Sequence, residues 1–193
     1  MNTFHSFVPT ESRVILQGWI EELGINLLIS SPRKTKLGDF RVHKGRLYVS
    51  VNDNLNPYSF LITLTHELAH AFVYIEHSNK VLPHGLQWKT TFKTMLFNFL
   101  HLFPEDINKV LSIYLLNPKA STLSDVRLST VLRKYNKQKE IIISDILDGD
   151  SFIASNGKEF KKGKKLRKRF SCTQKDTNRV YLFHPLAEVS KIQ

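Results

Sequence analysis

Cysteine is almost missing from this chain: Cys172 is the single one among 193 residues. One thiol closes no internal disulfide and builds no thiolate-rich zinc site, so a reducing cytoplasm is the expected setting and any metal must be held by histidine and carboxylate. Long apolar runs are missing too. No window reaches the roughly 18 apolar residues of a membrane span, and the opening stretch MNTFHSFVPTESRVILQGW lacks the basic start and apolar run of a secretion signal. Neither membrane insertion nor secretion is expected. Acidic residues are scarce, with 17 Asp and Glu against 28 Lys and Arg, a net charge of +11. The excess is uneven. Residues 151–193 hold 11 Lys and Arg against 3 Asp and Glu, whereas residues 1–150 hold 17 against 14. That shift, together with the Asp/Gly cluster LDGDS at 147–151, predicts a main domain over 1–147 and a small basic module over 148–193.

What is present is enough apolar residue, 41%, to fill a real core. TESRVILQGWIEELG places Val14, Ile15, Trp19, Ile20 and Leu23 at helical spacing, with Thr10 or Ser12 to start the helix and Gly24 to end it. INLLISS, GDFRV and RLYVSV are short β-rich runs, the last two joined as a hairpin through His43 to Gly45; they predict a small, mainly antiparallel sheet. Asn56-Pro57 then caps a helix that runs without Gly or Pro to about Glu76 and is apolar nearly all round, hence buried. Pro83 is expected to open the next helix, in which Trp88, Phe92, Leu96 and Phe99 share one face until Pro104 stops it. STLSDVRLSTVLRKYN predicts a further helix with Val126, Val131, Leu132 and Tyr135 turned inward. After Lys139 the pattern changes to strands: EIIISDIL, SFIA, RKRFSCT, RVYLFHP and LAEVSKI. The fold class predicted is α+β, with a small basic β module at the end.

The chemistry concentrates in residues 65–88, THELAHAFVYIEHSNKVLPHGLQW. His66-Glu67-Leu68-Ala69-His70 is an H-E-x-x-H pattern. Residues four apart lie on one helical face, so both imidazoles can reach one zinc ion, while Glu67, about 100° round the helix, can serve the water beside it. Catalytic zinc generally takes three protein ligands and leaves a position for water. Glu76 stands where a metzincin places a ligand, but that arrangement needs a helix-breaking glycine and Val73 occupies its position. His77 returns to the right face, yet in a continuing helix it lies about 10 Å along the axis from His70. His84, beyond the loop SNKVLP, can fold back beside the first two. The expected ligands are therefore His66, His70 and His84, with Glu67 as the catalytic base and one Zn2+ per chain.

LTHELAHAFVY followed by HGLQWKTTF resembles the SprT-like zinc metallopeptidases, the relatives of Spartan, whose signature is H-E-x-x-H and then H-G-x-x-[WF] heading the next helix. His66, Glu67, His70, His84, Gly85 and Trp88 match it position by position. TKLGDFR and GRLYVSVNDNL resemble the family's sheet segment, so the likeness covers about residues 10–135. It implies a zincin-like domain and hydrolysis of peptide bonds. Zinc on three neutral imidazoles lowers the pKa of its water toward about 7, and Glu67 takes the proton and later hands it to the leaving amine. Neither spacing nor resemblance selects an oxyanion partner; Tyr48, Tyr74 and Arg41 are open candidates. The run RLYVSV is the expected exposed sheet edge along which substrate could lie as an added strand.

The resemblance weakens after residue 147. Many relatives carry a zinc ribbon built on paired C-x-x-C motifs, and Cys172 alone cannot build one; a degenerate ribbon without its metal is expected. The stretch NGKEFKKGKKLRKRF sets Lys161, Lys162, Lys164, Lys165, Arg167, Lys168 and Arg169 between Phe160 and Phe170. That suits phosphate contacts with rings stacking on bases, and equally suits a solvated basic surface. Since Spartan cleaves proteins crosslinked to DNA, the resemblance implies an endopeptidase acting on protein substrates on or near DNA. The alternative is a nucleic-acid-binding protein whose zinc domain is structural.

Overall fold

The computed structural model describes residues 4–33, 35–121, 124–138 and 140–192. The chain divides into two compact units, Met1–Lys137 and Gln138–Gln193. The division falls before the charge shift, because Ile143 and Ile146, which precede the LDGDS cluster, are buried in the core of the second unit.

The first unit opens with two short 3-10 turns, Phe4–Phe7 and Thr10–Ser12, and then α1 (Arg13–Glu22). Leu16 and Ile20 face inward; Val14, expected on that face, is 82% exposed. Ser12 does not cap an amide of α1 but donates its hydroxyl to the Pro9 carbonyl at 2.7 Å. Gly24 leaves the helix at φ 60°, a left-handed exit that costs glycine least. Three strands follow: β1 (Ile25–Ser30), β2 (Gly38–His43) and β3 (Arg46–Asn52). Lys44 and Gly45 both take positive φ, the tight turn that suits a two-residue hairpin between β2 and β3.

The sheet order is β1-β3-β2. β3 pairs parallel with β1 and antiparallel with β2, so the sheet is mixed rather than mainly antiparallel. RLYVSV is therefore the central strand, not the exposed edge expected of it. The edge strand beside the candidate site is β2.

α2 (Pro57–His77) packs against this sheet. Asn56 accepts the Ser59 amide at 3.0 Å as its N-cap, and Pro57 takes the first helical position, where no amide is needed. Phe60, Leu61, Leu64 and Leu68 are fully buried among Val49 and Val51 of β3 and the aromatic face of the next helix. That helix, α3 (Leu86–Phe97), buries Trp88, Phe92 and Leu96, as its spacing predicts. It starts later than Pro83: Gly85 is its N-cap, and Pro83 and His84 lie in the preceding turn, closed by the Gly85 amide on the Leu82 carbonyl at 2.9 Å. α3 also ends earlier than expected, at Phe97, so the buried Phe99 lies beyond it, before a 3-10 turn at Leu100–Leu102; Pro104 is instead the N-cap residue of a further helix, α4 (Glu105–Leu116), whose Ile107, Leu111 and Leu115 join the core. α5 (Val126–Arg133) turns Leu128 and Leu132 inward, with Val131 and Tyr135 half-buried beside them. Thr122 and Leu123, included in the predicted span of this helix, lie outside the described residues.

The second unit is a five-stranded antiparallel sheet, ordered β7-β6-β5-β4-β8, from β4 (Ser151–Ala154), β5 (Glu159–Lys165), β6 (Phe170–Gln174), β7 (Val180–Phe183) and β8 (Val189–Lys191). Its core joins Phe152, Phe160, Phe170 and Cys172 to Ile143 and Ile146. The expected first strand EIIISDIL is instead a 3-10 turn, Ile143–Asp145, with one isolated bridge from Ile142 to Glu188. Among the described residues no helix is long and apolar enough to cross a membrane.

Candidate metal centre

α2 carries His66, Glu67 and His70 on its third and fourth turns, and the turn before α3 brings His84 back to them. The Nε2 atoms converge: His66 to His70 is 3.3 Å, His70 to His84 is 3.0 Å and His66 to His84 is 3.3 Å. Burial holds the imidazoles neutral, each helped by a neighbouring charge centre. His66 is pushed down to about 3, first by loss of water and then by His70 and His84, and His70 to about 4, first by loss of water and then by His84. His84 is lowered by burial and then by Lys89.

With their protons on Nδ1, the three neutral rings turn their Nε2 lone pairs toward one point, an arrangement that a cation between them would satisfy. Ligands about 2.0 Å from one tetrahedral ion stand roughly 3.3 Å apart, which is the spacing seen here. The trio can hold a metal ion, and it is the one such cluster among the described residues.

Trp88 underlies all three rings. Its indole centroid lies 4.5 Å from His66, 5.3 Å from His70 and 4.7 Å from His84, and it stacks on Phe92 at 5.0 Å. Its indole N–H donates to the His66 carbonyl at 3.3 Å. The turn that returns His84 is close at Gly85: a Cβ there would stand 3.1 Å from the Leu82 carbonyl oxygen.

Glu67 is buried, and its carboxyl is pushed up to about 8, first by burial and then by Asp39; Arg33, Lys36 and a hydrogen bond from the Phe40 amide offset part of this. β2 crosses so closely that a Cβ on Gly38 would stand 2.6 Å from Glu67 Oε1. The one mark of this approach in the sequence is the glycine that opens the strand. Beside the histidines opens a cavity of about 560 Å³, bounded by β2 from Gly38 to Val42, by α2 from His66 to Tyr74 and by the loop from Ser78 to His84.

Of the open oxyanion candidates, Tyr74 and Arg41 line this cavity. Tyr48 does not; it pairs across the sheet with Arg41, whose guanidinium lies 5.6 Å from its ring. Glu76 and His77 sit at the end of α2, 3.6 Å apart and outside the histidine cluster.

In the second unit, Lys161, Lys164, Lys165, Arg167, Lys168 and Arg169 are exposed along β5 and the turn into β6. Lys162 is not with them. It is 5% exposed, donates from Nζ to the Ile146 carbonyl at 2.6 Å and lies 4.1 Å from the Phe170 ring centre. Phe160 and Phe170 are core residues, so neither ring can stack on a base. Strand alternation explains both corrections: Phe160 and Lys162 face the same way, into the sheet's packed side.

Comparison with family models, with characterised proteins and with solved structures returns no match. The functional reading therefore rests on the site itself.

Proposed function

We propose that the first unit is a zinc-dependent endopeptidase of the SprT-like, zincin-like kind, with His66, His70 and His84 as zinc ligands and Glu67 as general base. One observation carries this reading. Two motifs separated by a loop, H-E-x-x-H and H-G-x-x-W, bring three imidazole nitrogens within 3.0–3.3 Å of one another beside a buried carboxyl and an open cavity. A zinc ion in that site supplies Lewis acidity, polarising a carbonyl oxygen and lowering the pKa of water toward about 7. Glu67, held by the Phe40 amide and the close crossing of Gly38, would serve as base once the charge of a bound metal ion favours its carboxylate form, taking the proton from the attacking water and returning it to the leaving amine. Trp88 keeps the imidazoles oriented, and the edge of β2 offers backbone groups to an extended chain.

The six exposed cations of the β5–β6 hairpin favour action on proteins on or near DNA, the hairpin holding phosphates while the first unit cuts. They also favour the second reading, a nucleic-acid-binding protein with a structural zinc domain. Glu67→Gln separates the two. Metal analysis should find about one zinc per chain in this variant and none in His84→Ala, while cleavage of an unfolded protein substrate is lost in both. If Glu67→Gln leaves the protein's cellular role intact, the zinc domain is structural.

A further inference from the structure

β7 forms one edge of the second unit's sheet, paired with β6 on one side and with no described strand on the other. Edge strands are normally kept from further pairing by a charge, a proline or a bulge on the strand itself. This one has none. Its residues are Val, Tyr, Leu and Phe, its register with β6 is unbroken, and Val180 is 64% and Leu182 51% exposed. The opposite edge, β8, is guarded: it has three residues and ends on Lys191.

Strand alternation fixes which backbone groups β7 offers. The Gln174 amide donates to the Arg179 carbonyl at 2.9 Å, so the next residues of β7 to exchange bonds with β6 are Tyr181 and Phe183. The amides and carbonyls of Val180 and Leu182 therefore point away from the sheet. Among the described residues only the Leu182 carbonyl has a partner there, a guanidinium nitrogen of Arg169 at 3.4 Å. The Val180 and Leu182 side chains share one face, while Tyr181 turns toward the packed side and meets Phe160 edge-on at 5.6 Å.

Charge decides what kind of strand fits. Arg179 leads into β7 and Arg169 reaches its far end, both exposed. The acids of residues 151–193 do not answer them: Glu159 pairs with Lys175, Asp176 accepts the Gln174 side-chain amide at 2.6 Å, and Glu188 stands at the other edge of the sheet, bridged to Ile142. A second copy of the chain would set its own Arg169 and Arg179 against these, and like charges across a strand pair destabilise it. Nucleic acid would gain ion pairs from the arginines but no stacking from two aliphatic side chains.

We infer that the free edge of β7 docks an extended acidic segment of a partner protein. The segment adds a strand to the sheet, lays apolar side chains two residues apart beside Val180 and Leu182, and sets carboxylates on Arg169 and Arg179. Peptidase chemistry in the first unit is not required for this docking.

The test is fluorescence anisotropy on the full-length protein with a labelled peptide of alternating Val and Ser, ended on both sides by Glu. A Lys-ended version should bind at least about tenfold more weakly. So should one of two acidic versions methylated at the amides of every Val or of every Ser, because only one set of amides faces β7. Val180→Ser with Leu182→Ser should weaken the acidic peptide about tenfold, and Arg169→Glu with Arg179→Glu should turn the preference to the Lys-ended one. The methylated peptides need only the wild-type protein, so they decide the matter even where a variant fails to fold. Equal binding of acidic and Lys-ended peptides, or full affinity of both methylated versions, overturns the inference, since the basic surface then acts without the edge. A dimer in sedimentation that the serine variant dissolves assigns the edge to a second copy and overturns it too. A loss of DNA affinity in that variant equal to its loss of peptide affinity assigns the edge to nucleic acid, with the same result.

Discussion

At the scale of single residues, Trp88 is the side chain whose ring lies against all three histidines of the candidate site. A metal ligand set needs its rings held in one orientation, and groups around the ligands usually do this by hydrogen bonds. Here one buried indole does much of it by contact, lying within 5.3 Å of each of three imidazoles and stacked on Phe92 behind them. Nothing in the helical spacing of Trp88, Phe92 and Leu96 distinguishes this platform from ordinary core packing, because both demand a large apolar residue facing inward. The two roles separate by experiment. Trp88→Leu should lower zinc affinity about 10- to 100-fold in competition with a chelator, measured under conditions where the chain is fully folded, while Trp88→Phe retains most of it. Unchanged affinity in the folded Leu variant would reduce Trp88 to packing alone.

At the scale of elements, legibility follows how local the determining chemistry is. α2 is readable to within a residue because its signals sit in the chain itself: Asn56 and Pro57 at the start, no breaker before Ser78, and two histidines one turn apart. The approach of His84 to His66 and His70 is readable because loop and motif together bring it back. The position of β3 is not readable. Alternation along RLYVSV says that one face is buried, but its neighbours depend on the parallel pairing with β1, a long-range event with no local mark. The run of isoleucines at 141–143 misleads for a related reason, since a short apolar stretch fits a strand or a buried turn equally well.

β5 shows the same limit from another side. Its Lys and Arg look equivalent in sequence, and alternation sends Lys162 inward to close the module. There the ammonium ties the Ile146 carbonyl to the sheet, 3.3 Å from the largely exposed Asp148 and over the Phe170 ring. Lys162→Met keeps the aliphatic stem and removes the donor, orphaning a buried carbonyl. It should destabilise the chain by about 1–3 kcal/mol in urea unfolding, with the larger share from the Ile146 bond because Asp148 is solvated. A variant as stable as the wild type would show that solvent replaces the bond without cost.

At the scale of the whole molecule, two separate cores carry two different surfaces. The first unit holds His66 buried and His70 and His84 half-buried, with a cavity of mixed lining beside them; the second is small and strongly basic. An exposed cluster of like charges opposes folding by self-repulsion but also keeps a protein in solution, so it suits a solvated surface as well as a phosphate-bearing partner. With Phe160 and Phe170 buried, such a partner gains no stacking on these rings, and binding must be led by ion pairs with phosphates. That makes a quantitative expectation. Replacing Lys164, Lys165, Arg167, Lys168 and Arg169 with Ser, leaving the buried Lys162 in place, should weaken binding to single- and double-stranded DNA alike and flatten the salt dependence. Each phosphate no longer neutralised takes about 0.7–0.9 from the slope of log affinity against log salt, so removing five cations would take roughly 4. Zinc content and cleavage of a DNA-free unfolded substrate should not change, because those belong to the first unit. If the substituted protein binds DNA with the wild-type slope, the hairpin is a solvated surface and the phosphates are held elsewhere. If DNA-free cleavage falls together with DNA binding, the hairpin also acts on the first unit, and holding phosphates is not its sole task.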